Sequence, residues 1–216
     1  MPRKKKPSGR KRAAAKPRRL RVNRSSFLIV CEGETEENYF KSFQAEWNSI
    51  KASSYKRSPY GLVETAIGLA TEKSFEEIWA VFDLDYNPSQ GPQQFDAFRA
   101  ALKLAEDSGV RVAYSIDAFE IWFRLHYENI TTPIARQQLY EDLSRRWAID
   151  YSAEGKTSDI FSRLQEDPNA SLGLAMERAR VLFEKHIDTP FEERPSLSTV
   201  YILVHNLSTE DPKKRL

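Results

Sequence analysis

The feature that most constrains the fold is an alternation of short apolar runs with segments that have helical spacing. The runs are FLIVC at residues 27–31, IWAVF at 78–82 and VRVAYSI at 110–116. Their length and their β-branched and aromatic residues are typical of strands. The segments between them place apolar side chains on one helical face, as Phe95, Phe98 and Leu102 do. The order strand, helix, helix, strand, helix, strand, helix predicts an α/β fold with a largely parallel sheet flanked by helices.

The remaining pattern predicts the domain organisation. A first helix is expected over residues 33–47, whose aromatic side chains recur at helical spacing, and a loop over residues 51–61. Gly109 stands where a helix C-cap belongs. From about residue 133 the pattern is helical, and no internal repeat or second change of composition follows. We therefore expect one domain over residues 25–216, with a helical C-terminal elaboration that packs around the sheet.

The charge of the chain is unevenly distributed. Residues 1–24 hold twelve of the 33 Lys and Arg residues and no acid, so 21 basic and 31 acidic residues remain for the rest. Such an arm cannot bury a core and is expected to be disordered when free. It suits either a tether that releases counterions from nucleic-acid phosphates or a solubilising tail. The candidate contacts to nucleic acid are Arg3, Lys4, Lys5, Lys6, Arg10, Lys11, Arg12, Lys16, Arg18 and Arg19 in the arm, and Lys56, Arg57 and Lys156 in predicted loops.

Composition also excludes several classes of protein. No apolar run approaches the roughly 20 residues that span a bilayer, so no membrane association is expected. The basic start is not followed directly by an apolar segment, as it would be in a secretory signal. A single cysteine, Cys31, cannot form an internal disulfide and indicates the cytoplasm. It ends an apolar run and is expected to be a buried structural thiol. None of the three histidines pairs with it at zinc-finger spacing.

Acidic residues follow each of the three predicted strands. Glu32 follows the first, Asp83 and Asp85 end the second, and Asp117 follows the third. In α/β sheets ligands bind at the carboxyl ends of the strands, and residues i and i+2 of an extended segment point the same way. Carboxylates this close suit a divalent cation such as Mg²⁺ or Mn²⁺. Acids also end strands as turn residues or helix caps, which is the structural alternative.

Four stretches of the chain resemble motifs of known protein families. The stretch LIVCEGETEENYF, followed some fifty residues later by VFDLDYN, is similar to the Toprim signature of topoisomerases, primases and OLD-type nucleases. The later stretches SIDAFEIWFRLHY and RPSLSTVYILVHNL, after a basic start, more narrowly resemble the RloB-like proteins of bacterial restriction–modification and abortive phage-defence loci. The resemblance covers most of the chain, in order. It implies a Toprim-like domain.

The resemblance also implies roles for particular acids. Glu32 matches the Toprim glutamate, which is a metal ligand or general acid/base. Asp83 and Asp85 match the metal-binding D-x-D pair. Glu36 matches a second glutamate of OLD-like members and is a further candidate ligand. Glu120 matches the acid of an F-E-x-W phrase and is a candidate catalytic residue. The alternative is that Glu120 only orients a neighbouring side chain.

Several residues near these motifs remain open. The chain has Asp117 and Ala118 where the related phrase usually has Pro and Cys, so Asp117 either joins the site or caps a helix. His126 closes the same phrase and is expected to be a core histidine. Glu34 and Glu37 are expected to face the positive end of the first helix or solvent.

The resulting hypothesis is a divalent-metal-dependent endonuclease. The resemblance implies RNA such as tRNA, or phage DNA, as the substrate, and an ATPase as the partner. The resemblance does not define the oligomeric state, and a homo-oligomer is compatible with it. The alternative is a non-catalytic nucleic-acid-binding or regulatory subunit of a defence ATPase. A phosphatase of the haloacid-dehalogenase type is disfavoured, because Asn87 stands where that motif has Thr or Val and the Glu32 cluster would have no role.

Overall fold

The computed structural model describes residues 24–85, 91–155 and 159–216. These residues form an α/β structure in which helices cover both faces of one sheet. The strands are β1 (Ser25–Cys31), β2 (Asn48–Ser54), β3 (Glu77–Leu84) and β4 (Arg111–Ile116). The helices are α1 (Glu34–Lys41), α2 (Pro59–Glu72), α3 (Gln93–Ser108), α4 (Glu120–Leu125), α5 (Arg136–Trp147), α6 (Tyr151–Glu154), α7 (Ile160–Glu166), α8 (Leu172–Lys185) and α9 (Val200–Ser208). The predicted arm lies outside these residues, apart from Arg24.

The sheet has the strand order β2-β1-β3-β4, and all its neighbouring strands are parallel. Cys31 at the end of β1 pairs with Val81 in β3, and Asp83 in β3 pairs with Ser115 in β4. Because the strands run the same way, their carboxyl ends meet at one edge of the sheet. The predicted α/β class with a parallel sheet flanked by helices is confirmed.

The two central strands are buried on both faces, which explains why their sequences are continuous apolar runs. Phe27, Ile29 and Cys31 of β1 point into one core, which also contains residues of α1, α4, α5 and α7 to α9. Leu28 and Val30 point into the other core, which α2 and α3 cover. Alternate residues of one strand therefore support two separate helical layers. Cys31 is fully buried, as expected of a structural thiol.

The prediction of a loop over residues 51–61 is wrong. The structure places its first part in β2, which pairs with β1 from Ser25↔Asn48 to Cys31↔Ser54. Its last part begins α2 at Pro59, so the loop is limited to residues 55–58. β2 is an edge strand of Asn, Ser, Ile, Lys and Ala residues, with Lys51 exposed. Its backbone pairing with β1 therefore decides its structure, because its composition carries little strand signal.

The first helix also ends earlier than predicted, at Lys41 instead of residue 47. The buried side chain of Asn48 holds the chain in a turn after this point. Its Oδ1 accepts from the amide of Ala45 at 2.9 Å, and its Nδ2 donates to the carbonyl of Phe43 at 3.1 Å. The same Nδ2 donates to the carbonyl of Leu207 in α9 at 3.1 Å. One buried amide thus holds the turn between α1 and β2 and attaches α9 to it.

The elements from α5 to α9 are helical, as the pattern after residue 133 predicted, and they add to the core on the α1 face of the sheet. Gly109 adopts the left-handed conformation, with φ of 68°, that ends α3, as expected of a C-cap. α9 follows a serine-rich segment in which Ser198 forms an antiparallel bridge with Ser115 of β4. None of the helices in the described parts of the chain is long and apolar enough to cross a membrane.

Candidate active site

A cavity of about 430 Å³ opens at the carboxyl edge of the sheet. It is bounded by the ends of β1 and β3, the first turn of α1, the loop before α2, and the first turns of α4 and α5. Its lining residues are Glu32, Gly33, Glu34, Thr35, Glu36, Lys56, Arg57, Ser58, Asp83, Glu120, Arg136 and Tyr140. Five acids and three basic residues therefore face one cavity, at the edge where α/β sheets bind their ligands.

The structure brings together the acids that follow β1 and β3. Glu32 is the first residue after β1, and its backbone amide donates to the carbonyl of Val81 in β3. Its carboxylate Oε2 in turn accepts from the backbone amide of Asp83 at 3.2 Å. Oδ2 of Asp83 accepts from the amide of Phe119, beside the start of α4, at 3.0 Å. The two carboxylates are thus fixed by backbone amides of neighbouring elements.

Asp85 shares one contact with Asp83 but not its environment. Both carboxylates accept from the same Nη2 of Arg136, Asp83 at 3.3 Å and Asp85 in a shorter ion pair. They therefore reach one group from the same side, as the i, i+2 spacing predicted. The side chain of Asp83 is 8% exposed, whereas that of Asp85 is 60% exposed and does not line the cavity. Asp83 belongs to the wall of the site and Asp85 to its rim.

Two further acids, Glu36 and Glu120, are buried in the wall of the cavity. Glu36 lies in the first turn of α1, and Glu120 is the first residue of α4. The hydroxyl of Tyr151 in α6 donates to Oε1 of Glu120 at 2.9 Å. Both acids were predicted from the family resemblance, and the structure places both in the same cavity as Glu32 and Asp83.

Burial sets the protonation of this cluster. Burial raises the pKa of Glu32, Asp83 and Glu120, and repulsion from neighbouring carboxylates adds to the effect while Arg136 opposes it. For Glu36, burial and the charges of Glu120 and Glu32 raise the pKa to about 7. The carboxyl groups of the cluster are therefore harder to ionise than exposed ones, and Arg136 offsets this effect only in part.

Three residues of the site were missed by the sequence reasoning. Arg136 and Tyr140 lie one turn apart in α5, and Tyr151 lies in α6. Arg136 also donates to the carbonyl of Asp117 at 3.1 Å through Nη2. Its segment was interpreted as helical packing, and an arginine at the start of a helix in a charged segment gives no signal of its own. Only the packing of the helical half against the sheet reveals these contacts.

The basic residues of the loop before α2 face the same cavity. Lys56 and Arg57 line it together with Ser58 at the N-cap of α2. Arg57 is held by a hydrogen bond from Nη1 to the hydroxyl of Thr65 at 3.1 Å. The candidate nucleic-acid contacts outside the described residues are Arg3, Lys4, Lys5, Lys6, Arg10, Lys11, Arg12, Lys16, Arg18, Arg19 and Lys156.

Asp117 and His126 lie outside the cavity lining. The carboxylate of Asp117 accepts from the hydroxyl of Ser196, and its backbone has a φ of 79°, a conformation that Asp tolerates. It neither joins the acids nor caps α4. Nδ1 of the buried His126 donates to the carbonyl of Trp122 at 3.0 Å, and burial lowers its pKa to about 4. His126 is therefore a neutral core histidine, as expected.

The first-turn acids of α1 differ in their surroundings. Glu34 is exposed. Glu37 instead accepts from the amide and hydroxyl of Ser54 at the end of β2, at 2.6 and 2.5 Å, and pairs with Lys41. Glu37 thus lies in the first turn of α1, as expected, but its side chain is largely turned away from solvent. Its carboxylate joins α1 to β2.

The chemistry of the cavity fits a hard divalent cation. Glu32, Glu36, Asp83 and Glu120 present carboxylate oxygens with incomplete charge compensation, and Mg²⁺ and Mn²⁺ prefer such ligands. Within the described residues, no three Asp, Glu, His or Cys side chains are already grouped as metal ligands. The guanidinium of Arg136 contacts both Asp83 and Asp85 instead. An ion bound by both aspartates therefore requires Arg136 to move.

Comparison with known proteins identifies a family. Searches of the curated proteins and of the solved structures found nothing similar to the chain. A family model described as RloB-like protein matches residues 27–207. This range includes most of β1, every acid of the cavity, Arg136 and most of the helical half. The family that the motifs resemble is thus confirmed over most of the sequence, and the chain belongs to the RloB-like family.

Proposed function

We propose that the protein is a divalent-metal-dependent endonuclease that acts in bacterial defence against phages. The preferred substrate in this proposal is RNA such as tRNA. The observation that carries the proposal is the contact between Glu32 and Asp83 in a cavity that Lys56 and Arg57 also line. Clustered carboxylates suit a metal, and the adjacent cations suit a phosphate backbone. Membership of the RloB-like family supports the link to defence loci.

In this proposal four of the acids bind the metal and a fifth donates a proton. Glu32, Asp83, Asp85 and Glu36 would hold Mg²⁺ or Mn²⁺, which when bound polarises the phosphodiester and steadies the leaving oxygen. Glu120 is held by Tyr151, and its raised pKa favours a proton on its carboxyl group. A water molecule or a 2′-hydroxyl of the substrate would attack the phosphorus and release its own proton to solvent. Glu120 would donate its proton to the leaving oxygen as a general acid when the old phosphorus–oxygen bond breaks.

The basic residues would bring the polyanion to an acidic site. Lys56 and Arg57 line the same cavity as the acids and would bind phosphates on either side of the cleaved bond. Arg3 to Arg19 of the arm and Lys156 would add attraction over a longer range. This division of charge accounts for a basic arm on a body with ten more acids than bases.

Two parts of the proposal do not come from the site: the ATPase partner comes from the family resemblance, and the cytoplasm from the single cysteine. We place the protein in the cytoplasm, beside an ATPase partner that restrains or triggers cleavage. The alternative is a non-catalytic nucleic-acid-binding or regulatory subunit of that ATPase, in which Arg136 permanently neutralises the acids. The ion pairs of Arg136 with Asp83 and Asp85 are the observation that favours this alternative.

The test is cleavage of labelled RNA and DNA by the purified full-length protein. We expect cleavage with Mg²⁺ or Mn²⁺, its abolition by EDTA, and a fall of at least about 100-fold in Glu32→Gln and Asp83→Asn. Glu106→Gln is the matched control, because Glu106 is 76% exposed in the last turn of α3, away from the cavity. If nucleic acid binds but no divalent metal supports cleavage, even beside the ATPase, the binding subunit is the correct alternative.

A further inference from the structure

Arg136 lies where its charge neutralises the two aspartates of the D-x-D pair. A single nitrogen, Nη2, contacts Oδ2 of Asp83 at 3.3 Å, Oδ1 of Asp85 at ion-pair distance and the carbonyl of Asp117 at 3.1 Å. Burial would lower the pKa of Arg136, but the charges of Asp83, Asp85 and Glu120 outweigh it and raise that pKa. The guanidinium thus stays positively charged inside the carboxylate cluster.

A divalent ion held by the same aspartates cannot share them with this guanidinium. Oδ2 of Asp83 and Oδ1 of Asp85 converge on Nη2. An ion that joins the two aspartates at this point would take the place of that nitrogen, because two positive charges at one place repel each other. The two cations therefore exclude each other from Asp83 and Asp85. Whichever binds, the carboxylates keep a positive partner.

The side chains differ in their freedom to move. Asp83 is 8% exposed and is bound by the amide of Phe119, so its carboxylate is fixed. Arg136 is 41% exposed and is the first residue of α5, and its long side chain reaches the aspartates from the cavity wall. The guanidinium is therefore the part that leaves, and the cavity gives it space to do so.

We propose that Arg136 is the internal counter-ion of the metal-free site and competes directly with the divalent ion for Asp83 and Asp85. This inference rests on the proposed function, since it takes these aspartates as ligands. It assigns to α5 a role in setting the metal concentration at which the site fills. The free protein then holds its acids together without a metal, at the expense of metal affinity.

The test is a calorimetric titration of the full-length, metal-free protein with MnCl₂. Arg136→Gln should bind Mn²⁺ about tenfold more tightly than the wild type, which corresponds to removal of a competing ion pair of about 1.4 kcal/mol. Arg136→Lys keeps the charge without the planar guanidinium and should fall between the two. Arg57→Gln is the matched control, because it also removes one positive charge from the cavity. The side chain of Arg57 contacts Thr65 and neither aspartate.

Each result distinguishes the competition from the nuclease proposal. Tighter binding by Arg136→Gln and a change below about threefold in Arg57→Gln support direct competition. Equal gains in both variants overturn it, because they reflect only the total charge of the cavity. The competition is also overturned if the wild type binds Mn²⁺ and Arg136→Gln binds it equally or less tightly. In that case the metal site of the proposed function stands. If neither the wild type nor any variant binds Mn²⁺, both proposals fail. Thermal unfolding of each variant verifies that it is folded.

Discussion

At the scale of the residue, Glu36 shows what burial does to a carboxyl group at this edge of the sheet. Its pKa rises from an ordinary 4.5 to about 7, first through burial and then through repulsion from Glu120 and Glu32. Between these values the unfolded chain has lost the proton while the folded chain keeps it. By linkage, the metal-free protein therefore loses stability as the pH rises through this window, and no further loss from Glu36 follows above pH 7.

Glu36→Gln tests this behaviour, because the amide keeps the shape of the side chain without its titration. In EDTA the wild type should lose stability as the pH rises from 4.5 to 7, whereas the variant should not. The free energy of unfolding of the variant, relative to that of the wild type, should therefore rise by up to about 3 kcal/mol over this range. Weaker repulsion on Asp83 acts in the same direction. Urea unfolding at pH 5 and pH 8 measures the difference, and Glu106→Gln should follow the wild type. Parallel pH profiles of Glu36→Gln and the wild type would contradict the prediction.

Single residues also show which parts of the site the sequence can predict. Glu32 and Asp83 lie at the ends of recognisable buried strands, and parallel strands end at one edge, so their proximity was predictable. Glu36 and Glu120 required the family motif. Arg136 required the structure, because the path of the chain between α4 and α5 decides where the first residue of α5 lies.

At the scale of the element, the end of β2 depends on one carboxylate of α1. Glu37 accepts from the amide and hydroxyl of Ser54, and although burial raises its pKa, hydrogen bonds from Lys41 and Ser54 lower it overall. Glu37→Gln should lower the free energy of unfolding by about 2 kcal/mol at pH 7, because it removes hydrogen bonds to a charged group. Chemical denaturation measures this change. Hydrogen exchange should show faster opening of the amide of Ser54.

The control for this element is Glu34→Gln, in the same turn of α1 but exposed. It should leave the free energy of unfolding within about 0.5 kcal/mol of the wild type. Because the folded pKa of Glu37 is lowered, its contribution is present above pH 4.5 and is lost as the pH falls through the lowered value. A destabilisation in Glu37→Gln that persists unchanged at about pH 2 would show that the carboxylate charge is not its cause.

The elements differ in how well their sequences predict them. β1 and β3 are buried on both faces, so their apolar runs identify them. β2 is an edge strand, and its serines and lysine are equally typical of a loop. Its structure comes from backbone pairing with β1, which no local pattern contains. The turn after α1 likewise depends on the buried amide of Asn48, whose contacts to Phe43 and Leu207 no local pattern contains.

At the scale of the whole molecule, the charge asymmetry predicts how the protein binds nucleic acid. Removal of residues 1–24 should weaken binding and flatten its dependence on salt. The slope of log K against log salt should fall by about 0.9 for each duplex phosphate that the protein no longer neutralises, or by about 0.7 for a single strand. Fluorescence anisotropy over a salt series measures both the affinity and the slope. An unchanged slope would favour the solubilising tail.

The control for the truncation is the metal site. Glu32 and Asp83 lie at the ends of β1 and β3, beyond the removed residues, so the truncated protein should bind Mn²⁺ as the full chain does. Lys56 and Arg57 also remain, and they should retain a weaker affinity for nucleic acid. Failure to bind Mn²⁺ would show that the truncation damaged the fold and that its effect on nucleic acid has no simple electrostatic cause.

The cavity and the residues that support it come from a long stretch of the sequence, from Glu32 after β1 to Tyr151 in α6. A ribosome completes Glu32, Asp83 and Glu120 well before Arg136 and Tyr151. The growing polypeptide thus carries the carboxylates before it carries Arg136, which pairs with Asp83, and Tyr151, which donates to Glu120. Synthesis must pass well into the second half of the message before the complete centre can assemble.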